Sequence, residues 1–438
     1  MMNTAFANIG DLDKATTMPL TVQDSVAVEH CDTIYYGPSA SHKKSACDVL
    51  ANTRFEQQFQ SLNIPGSVTL QIPNISIVDT IIMHVAIPSF PQDCNLPRGW
   101  GHLLIDRVDL RIGSSITLTF SGQTLLHELL MKCKNASSSG KRSRLFELCG
   151  QARTTSSATR LDAYIPLNVP VLSAIANDKS KLPFDLGMLN LPAQVVVYWN
   201  SLASICGGSG VSNLPTSFSV GRFIARQLDF KDVSNSMKND LIMNPAMSYT
   251  HPFVYNQSIA LPCISSNSPS TPVLVSLTGF RYGTLESVGF YLLKGENINP
   301  PGANAKNVFN TQVLNDIRLL FNGQVLYNAP ANSHELLNLA LSDDSPNMVL
   351  NAVVSGTSTA TFVATAVDSY LYDINLAQYN PLSEQGVLQS GLVVGNNTLS
   401  LQFTTPASNL ETCVLYVSYR YAAGCKVSNG GSQVDFIF

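Results

Sequence analysis

The sequence predicts an all-β chain made of two tandem, homologous, antiparallel units. Three observations carry that prediction. Apolar residues alternate with polar ones in Val68, Leu70 and Ile72, and in Val108, Leu110 and Ile112 against Arg107, Asp109 and Arg111. Leu399, Leu401 and Phe403 do the same, then Val417, Tyr419 and Tyr421. Period two gathers one set of side chains on one face, which is a strand with one side in a core. The runs are short and separated by Gly, Pro, Asn and Ser clusters, favouring antiparallel sandwiches over α/β layers. Finally, the chain repeats itself.

The word His127-Glu128-Leu129-Leu130 recurs as His334-Glu335-Leu336-Leu337, an offset of 207 residues. At that offset Asp109-Leu110-Arg111 matches Asp316-Ile317-Arg318, and Val78-Asp79 matches Leu285-Glu286. Leu161-Asp162-Ala163-Tyr164 matches Val367-Asp368-Ser369-Tyr370 at 206. Phe120-Ser121-Gly122-Gln123 matches Phe321-Asn322-Gly323-Gln324 at 201, which reads as a local slip of register. Landmarks held near one offset point to two large units, not a solenoid of short repeats.

In chain order the expectation is an N-terminal arm at 1–49 and a first unit at 50–231. A linker at 232–247 follows, with a weak helix around Asp232 to Met243 and a boundary near Asn244-Pro245. The second unit spans 248–430 and a tail 431–438. Each His-Glu-Leu-Leu word is expected to open a short helix, since Asn332 stands three residues before Glu335 in capping-box spacing.

Composition bounds the function. Charged residues make up 13% of 438, about half of the ~25% of an ordinary soluble domain. Hydrophobic residues at 45% are ample for packed cores and exclude wholesale disorder. A net charge of −4 argues against a nucleic-acid binder. The surface left over, rich in Ser, Asn, Thr and Gln, suits a chain covered largely by copies of itself. Met1 to Lys14 has Asp11, Asp13 and no apolar run, so no secretory signal is expected. Ala163 to Asn177 is broken by Pro166 and Pro170, and Ser345 to Val367 is diluted by polar residues, so neither reads as a membrane span. The nine cysteines lack any C-x-x-C pair and read as reduced, mostly buried thiols. Sequons at Asn74, Asn135, Asn256 and Asn396 read as chance matches.

Catalytic motifs fail one by one. His127-Glu128 and His334-Glu335 resemble half a zincin site, but position +4 is Met131 or Asn338, so both histidines read as structural and partly buried. Ser41-His42-Lys43-Lys44 sits in a polar segment without a partner motif. Gly207-Gly208-Ser209-Gly210 has no amphipathic helix after it and reads as a flexible turn. No catalytic, cofactor-binding or metal residue is assigned, and no enzyme is expected.

Charge is polarised along the chain. Residues 319–419 hold no Lys or Arg, while Glu335, Asp343, Asp344, Asp368, Asp373, Glu384 and Glu411 give the stretch −7. Lys132, Lys134, Lys141, Arg142, Arg144, Arg153 and Arg160 stand against Glu147 alone, a net +6. This Ser-rich segment reads as a long loop. It is expected to meet a neighbouring subunit's acidic second unit, or to crown a surface facing an anionic partner.

Gly101 to Gly113 (GHLLIDRVDLRIG), the helix word after it, Tyr164-Ile165-Pro166-Leu167, Leu182-Pro183-Phe184 and Ala193 to Trp199 then stand in a telling order. With Asp316 to Gln324 and Asn396 to Leu401, they resemble the double jelly-roll major capsid proteins of large double-stranded DNA viruses, virophages and transposon-like viruses. The similarity runs over roughly 50–430, and the glycine-rich opening common in the large-virus members is missing. The resemblance implies two eight-stranded antiparallel jelly rolls side by side, with short helices in loops. It implies a homotrimer of six barrels tiling an icosahedral shell. Expected partners are the chain itself, neighbouring capsomers and minor capsid or penton proteins. An inner membrane is a further candidate partner, with no sequence-specific nucleic acid and no cofactor. The expected location is the virion, after synthesis in the host cytoplasm. A minor capsid homologue is a variant of this reading. A carbohydrate-binding double β-sandwich is the alternative and would want exposed aromatics near acids, where the chain offers only Trp100 and Trp199.

Overall fold

In a computed structural model of the chain, the described residues are 51–438 except 60–61, 64–65, 73–76, 98, 136–148, 151–152, 155–156, 158, 168, 170, 173–183, 219, 230–238, 245, 266–270, 281–282, 299–305, 307, 309–310, 329–346, 355–364, 377–390 and 406–410. The first unit holds eight principal strands: β1 Ala51–Phe59, β2 Ser67–Ile72, β3 Ile77–Phe90, β4 Ile105–Ile112, β5 Ser115–Ser121, β6 Thr159–Pro166, β7 Ala193–Trp199 and β8 Val220–Asp229. They pair antiparallel in two four-stranded sheets, ordered β1-β8-β3-β6 and β2-β7-β4-β5. The expected alternation is there: Val68, Leu70 and Ile72 of β2 are buried, and so are Val108, Leu110 and Ile112 of β4.

The second unit repeats the arrangement. Its strands are β9 Tyr249–Ile264, β10 Val273–Leu277, β11 Thr284–Lys294, β12 Asn315–Phe321, β13 Gln324–Asn328, β14 Asn347–Val354, β15 Thr365–Asn375, β16 Leu399–Thr404, β17 Thr412–Ser428 and β18 Gln433–Ile437. Setting aside β14 and β18, the sheets run β9-β17-β11-β15 and β10-β16-β12-β13. In both units the first, eighth, third and sixth strands form one sheet, and the second, seventh, fourth and fifth form the other. β14 extends the first of these sheets past β15, and β18 pairs with β17. The stretch 431–438, expected as a tail, thus carries a strand.

Hairpin register fixes the internal offset better than the words do. Ile112↔Ser115, Arg111↔Ile116 and Leu110↔Leu118 in the first unit match Phe321↔Gln324, Leu320↔Val325 and Leu319↔Tyr327 in the second, with the same bulge. The structural offset here is 209, so Arg318 and not Asp316 stands where Asp109 does. Asp316 lies instead in a β12 bulge, at φ 50. The match at 201 was chance. Asn322-Gly323 has positive φ at both residues and turns a two-residue hairpin, while Ser121-Gly122 ends a strand and starts a helix.

Three further expectations change. The first helix word does not open its helix: α1 is Trp100–Leu103, and α2, Gly122–Asn135, starts five residues before His127. Ser121 caps α2, its hydroxyl accepting the Thr124 N–H at 3.2 Å. Gly208 and Gly210 are not a loose turn, because added Cβ atoms would run into the Asp93 and Gln92 carbonyl oxygens. Of the linker helix, only 239–243 is helical among the described residues. Residues 1–49, Asn74 and the second helix word lie outside the described residues.

Candidate assembly surfaces

The place where chemistry concentrates is the joint between the units. α2 leaves the first unit and packs across the second unit's sheet, against β9 and β14. Gly122 lets it start there, since a side chain would collide with the Ile105 carbonyl. The Ser258 N–H on β9, whose only strand partner among the described residues is β17, donates to Thr124 Oγ1 at 3.2 Å. An open strand edge is thereby covered. Asn256 Nδ2 donates to Glu128 Oε1 at 3.0 Å, and Tyr255 Oη donates to the Thr119 carbonyl at 2.8 Å.

His127 reaches over β11. Its ring lies parallel to Tyr291, centroids 6.4 Å apart, above Gly289, where an added Cβ would come 2.8 Å from the imidazole. Burial pushes the His127 pKa down to about 4, so the ring is neutral at physiological pH. Burial also raises the Tyr291 phenol above its usual range. This joint went unseen in the sequence, because its contacts span 128 to 168 residues. The sequence marked His127 as a structural, partly buried histidine but could not name its partners.

The matching face of the first unit differs. His84 on β3 lies under Tyr164, ring centroids 4.5 Å apart, with Nε2 2.9 Å from Asp162 Oδ1. Asp162 also accepts from Arg160 Nε and Nη2, each at 3.0 Å, and those bonds hold its carboxyl below the usual range. Buried His84 Nδ1 has no hydrogen-bond partner among the described residues. On the other sheet, buried Asp109 accepts from Thr119 Oγ1 at 3.0 Å beside Arg107 and Arg111.

The basic segment is not one loop. Lys132 and Lys134 belong to the last turns of α2, Arg153 to a two-residue strand paired with Asn95–Leu96, and Arg160 to β6. Lys141, Arg142 and Arg144 lie outside the described residues. Within the acidic window, Glu411 is paired with Lys294 from the second unit's third strand, at 2.8 Å. α2, which carries Lys132 and Lys134, packs on the second unit of its own chain.

No cluster of three or more metal-ligating side chains occurs among the described residues, and no described helix is long and apolar enough to cross a membrane. The six described cysteines are free thiols, and burial pushes Cys206, Cys263 and Cys425 up to about 12. Such thiols are poor nucleophiles. Trp100 and Trp199 are both buried.

No family model matches the chain, and no curated protein matches it. Solved structures do. The PBCV-1 virus capsid matches with TM-score 0.58 at 10% identity, covering 89% of this chain and 98% of that one. The Sputnik virophage structure matches with TM-score 0.51 at 11% identity, over 89% of each chain. The mavirus major capsid protein matches with TM-score 0.50 at 12% identity, over 92% and 94%. The fold is the double jelly roll. In this double jelly roll the repeated strand order supplies two barrels, and α2 is the strut that fixes the first against the second.

Proposed function

We infer that this chain is a non-enzymatic shell protein, a major capsid protein whose trimers form pseudo-hexagonal capsomers of an icosahedral virion. The observation that carries the reading is the duplicated strand order joined by a helix that seals one unit's sheet. A unit built to dock on its successor can be repeated around a ring, and three copies supply six units. The weakly charged surface limits repulsion between copies, and the raised thiols and buried tryptophans favour this reading over enzyme or lectin. Its partners are then copies of itself, neighbouring capsomers and minor capsid or penton proteins, and its location is the virion. The test is light scattering and electron microscopy of the purified full chain. The expected result is a particle of three times 47.3 kDa, or hexagonal assemblies of it. A monomer at all concentrations, or specific binding to a glycan array, would sink the reading.

A further inference from the structure

The inner face of the second unit's main sheet ends in a row unlike the rest of its core. Residues directly opposite in an antiparallel sheet share a face. Along β9, β17 and β11 the register gives Ile259, Val417 and Phe290 as one row and Leu261, Leu415 and Leu292 as the next. All six lie in the hydrophobic core or pack against it. The following row is Cys263, Cys413 and Lys294. It stands where the three strands begin or end, at Ile264, Thr412 and Lys294. Lys294 Nζ lies 2.8 Å from Glu411 Oε2, so the row finishes in a charged pair. Both cysteines are free thiols, Cys413 buried and Cys263 half-buried. Among the described cysteines no other two stand opposite each other in a strand ladder.

We propose that Cys263 and Cys413 form an intrachain disulfide when the folded chain meets a small-molecule disulfide of the glutathione class. This modification site stands whether or not the chain builds a shell. The Ser265 N–H donates to the Glu411 carbonyl at 2.9 Å, so two residues earlier the register makes Cys263 and Cys413 a hydrogen-bonded pair. Such pairs hold their Cα atoms about 5.5 Å apart, inside the ~4.4–6.8 Å that a disulfide spans. Their Cβ atoms, ~4.5–5.5 Å apart in an unbridged ladder, must draw in to about 3.8 Å, which leaves the bond easy to reduce again. Half-buried Cys263 is the thiol that a reagent reaches first. Its thiolate attacks one reagent sulfur and expels a thiolate, leaving a mixed disulfide. Cys413 then attacks the Cys263 sulfur, the bond between the two residues forms and the second reagent thiolate departs. The protein has lost two protons and two electrons, and the reagent has become two thiols. Burial pushes Cys263 up to about 12, so the first exchange is slow, on the order of hours. A slow reaction suits a bond made after folding. α2 pins β9 at Ser258, whereas the far end of β9 is laddered only to β17 among the described residues, and that end is what the bond fastens.

Incubating the reduced, folded, full-length chain with excess glutathione disulfide for a day tests this. Remaining thiols are then alkylated and peptides mapped by mass spectrometry without reduction. The expected product links Cys263 to Cys413 within one chain, raises the melting temperature by at least about 5 °C, and loses both changes in dithiothreitol. Cys263→Ser should melt where the reduced wild-type chain does and gain nothing from the oxidant. Four results overturn the proposal: both thiols still open to alkylation, a link to a different cysteine or to another copy, a glutathione adduct at Cys263 that persists as the end product, or the same thermal gain in Cys263→Ser. Peptide mapping of the wild-type chain decides the matter even where a variant fails to fold. A chain that forms the link and never assembles sinks the shell reading alone, and one that assembles without the link sinks only this inference.

Discussion

The two outer sheet faces have the same strand order and opposite fates. On the second unit, the face over β11 is closed by α2: Gly289 lies under an imidazole, and Tyr291 and Leu293 are buried. On the first unit, the face over β3 presents a salt-bridged Arg160–Asp162 pair and a half-buried tyrosine. A glycine and small hydroxyls fit a permanent contact formed once during folding. An exposed ion pair suits a face that meets solvent in the isolated chain. The difference teaches that one fold can hold a core-like joint and a polar, partly exposed face at equivalent positions.

Removing Tyr291 should break that comparison hardest. Tyr291→Ala deletes a fully buried ring packed with His127 and Tyr416 and should cost about 3–5 kcal/mol in urea unfolding. Tyr164→Ala, which loses one stacked contact with His84, should cost about 1 kcal/mol in the isolated chain. Equal costs would mean that the two faces are not energetically distinct.

Acid should open the sealed joint next. His127 has a folded pKa of about 4 against 6.5 when free, so the unfolded chain binds more protons between those values. Stability is then fully present above pH 6.5 and falls as the pH drops toward 4, by an amount on the order of 3 kcal/mol. Tyr291 stacks on the ring, and the Asp373 carboxylate near Gly289 can blunt the loss by meeting the imidazolium. His127→Asn should flatten the stability profile over that range. An unchanged slope in the variant would assign the acid sensitivity elsewhere.

Much of this was legible in the sequence, and the misses are instructive. Strands were legible because period two is local, and Val68, Leu70 and Ile72 sit in the core as the pattern requires. The duplication was legible from words near one offset, but hairpin register moved the local offset to 209. A bulge at Asp316 adds a residue that no word comparison can place. The joint was illegible because α2's partners come from more than a hundred residues away. At Glu411 the linear window hid a partner, because charge is felt in space and Lys294 reaches it from 117 residues earlier.

Within the joint, Asn256→Leu removes the donor to buried Glu128 and should cost about 1–3 kcal/mol, read as a lower melting temperature. Adding Glu128→Leu should recover part of that loss, because replacing both partners removes the stranded acceptor. A double variant no better than the single one would mean that Glu128 draws its main support from elsewhere in the joint.

The smallest effect on the fold should come from the basic segment. Lys141, Arg142 and Arg144 fall in sequence between α2, which packs on the second unit, and the strand Arg153–Thr154 of the first. Exposed charge pairs contribute only about 0.2–1 kcal/mol each and are screened by salt. Replacing the three by Ser should therefore leave the melting temperature within a degree or two. What they can change is encounter between copies, because a concentrated positive segment steers an acidic partner over distances that salt shortens. Assembly of the triple Ser variant, followed by light scattering from 50 to 300 mM salt, should be slower at low salt and nearly independent of salt. Unchanged kinetics would remove these three residues from assembly.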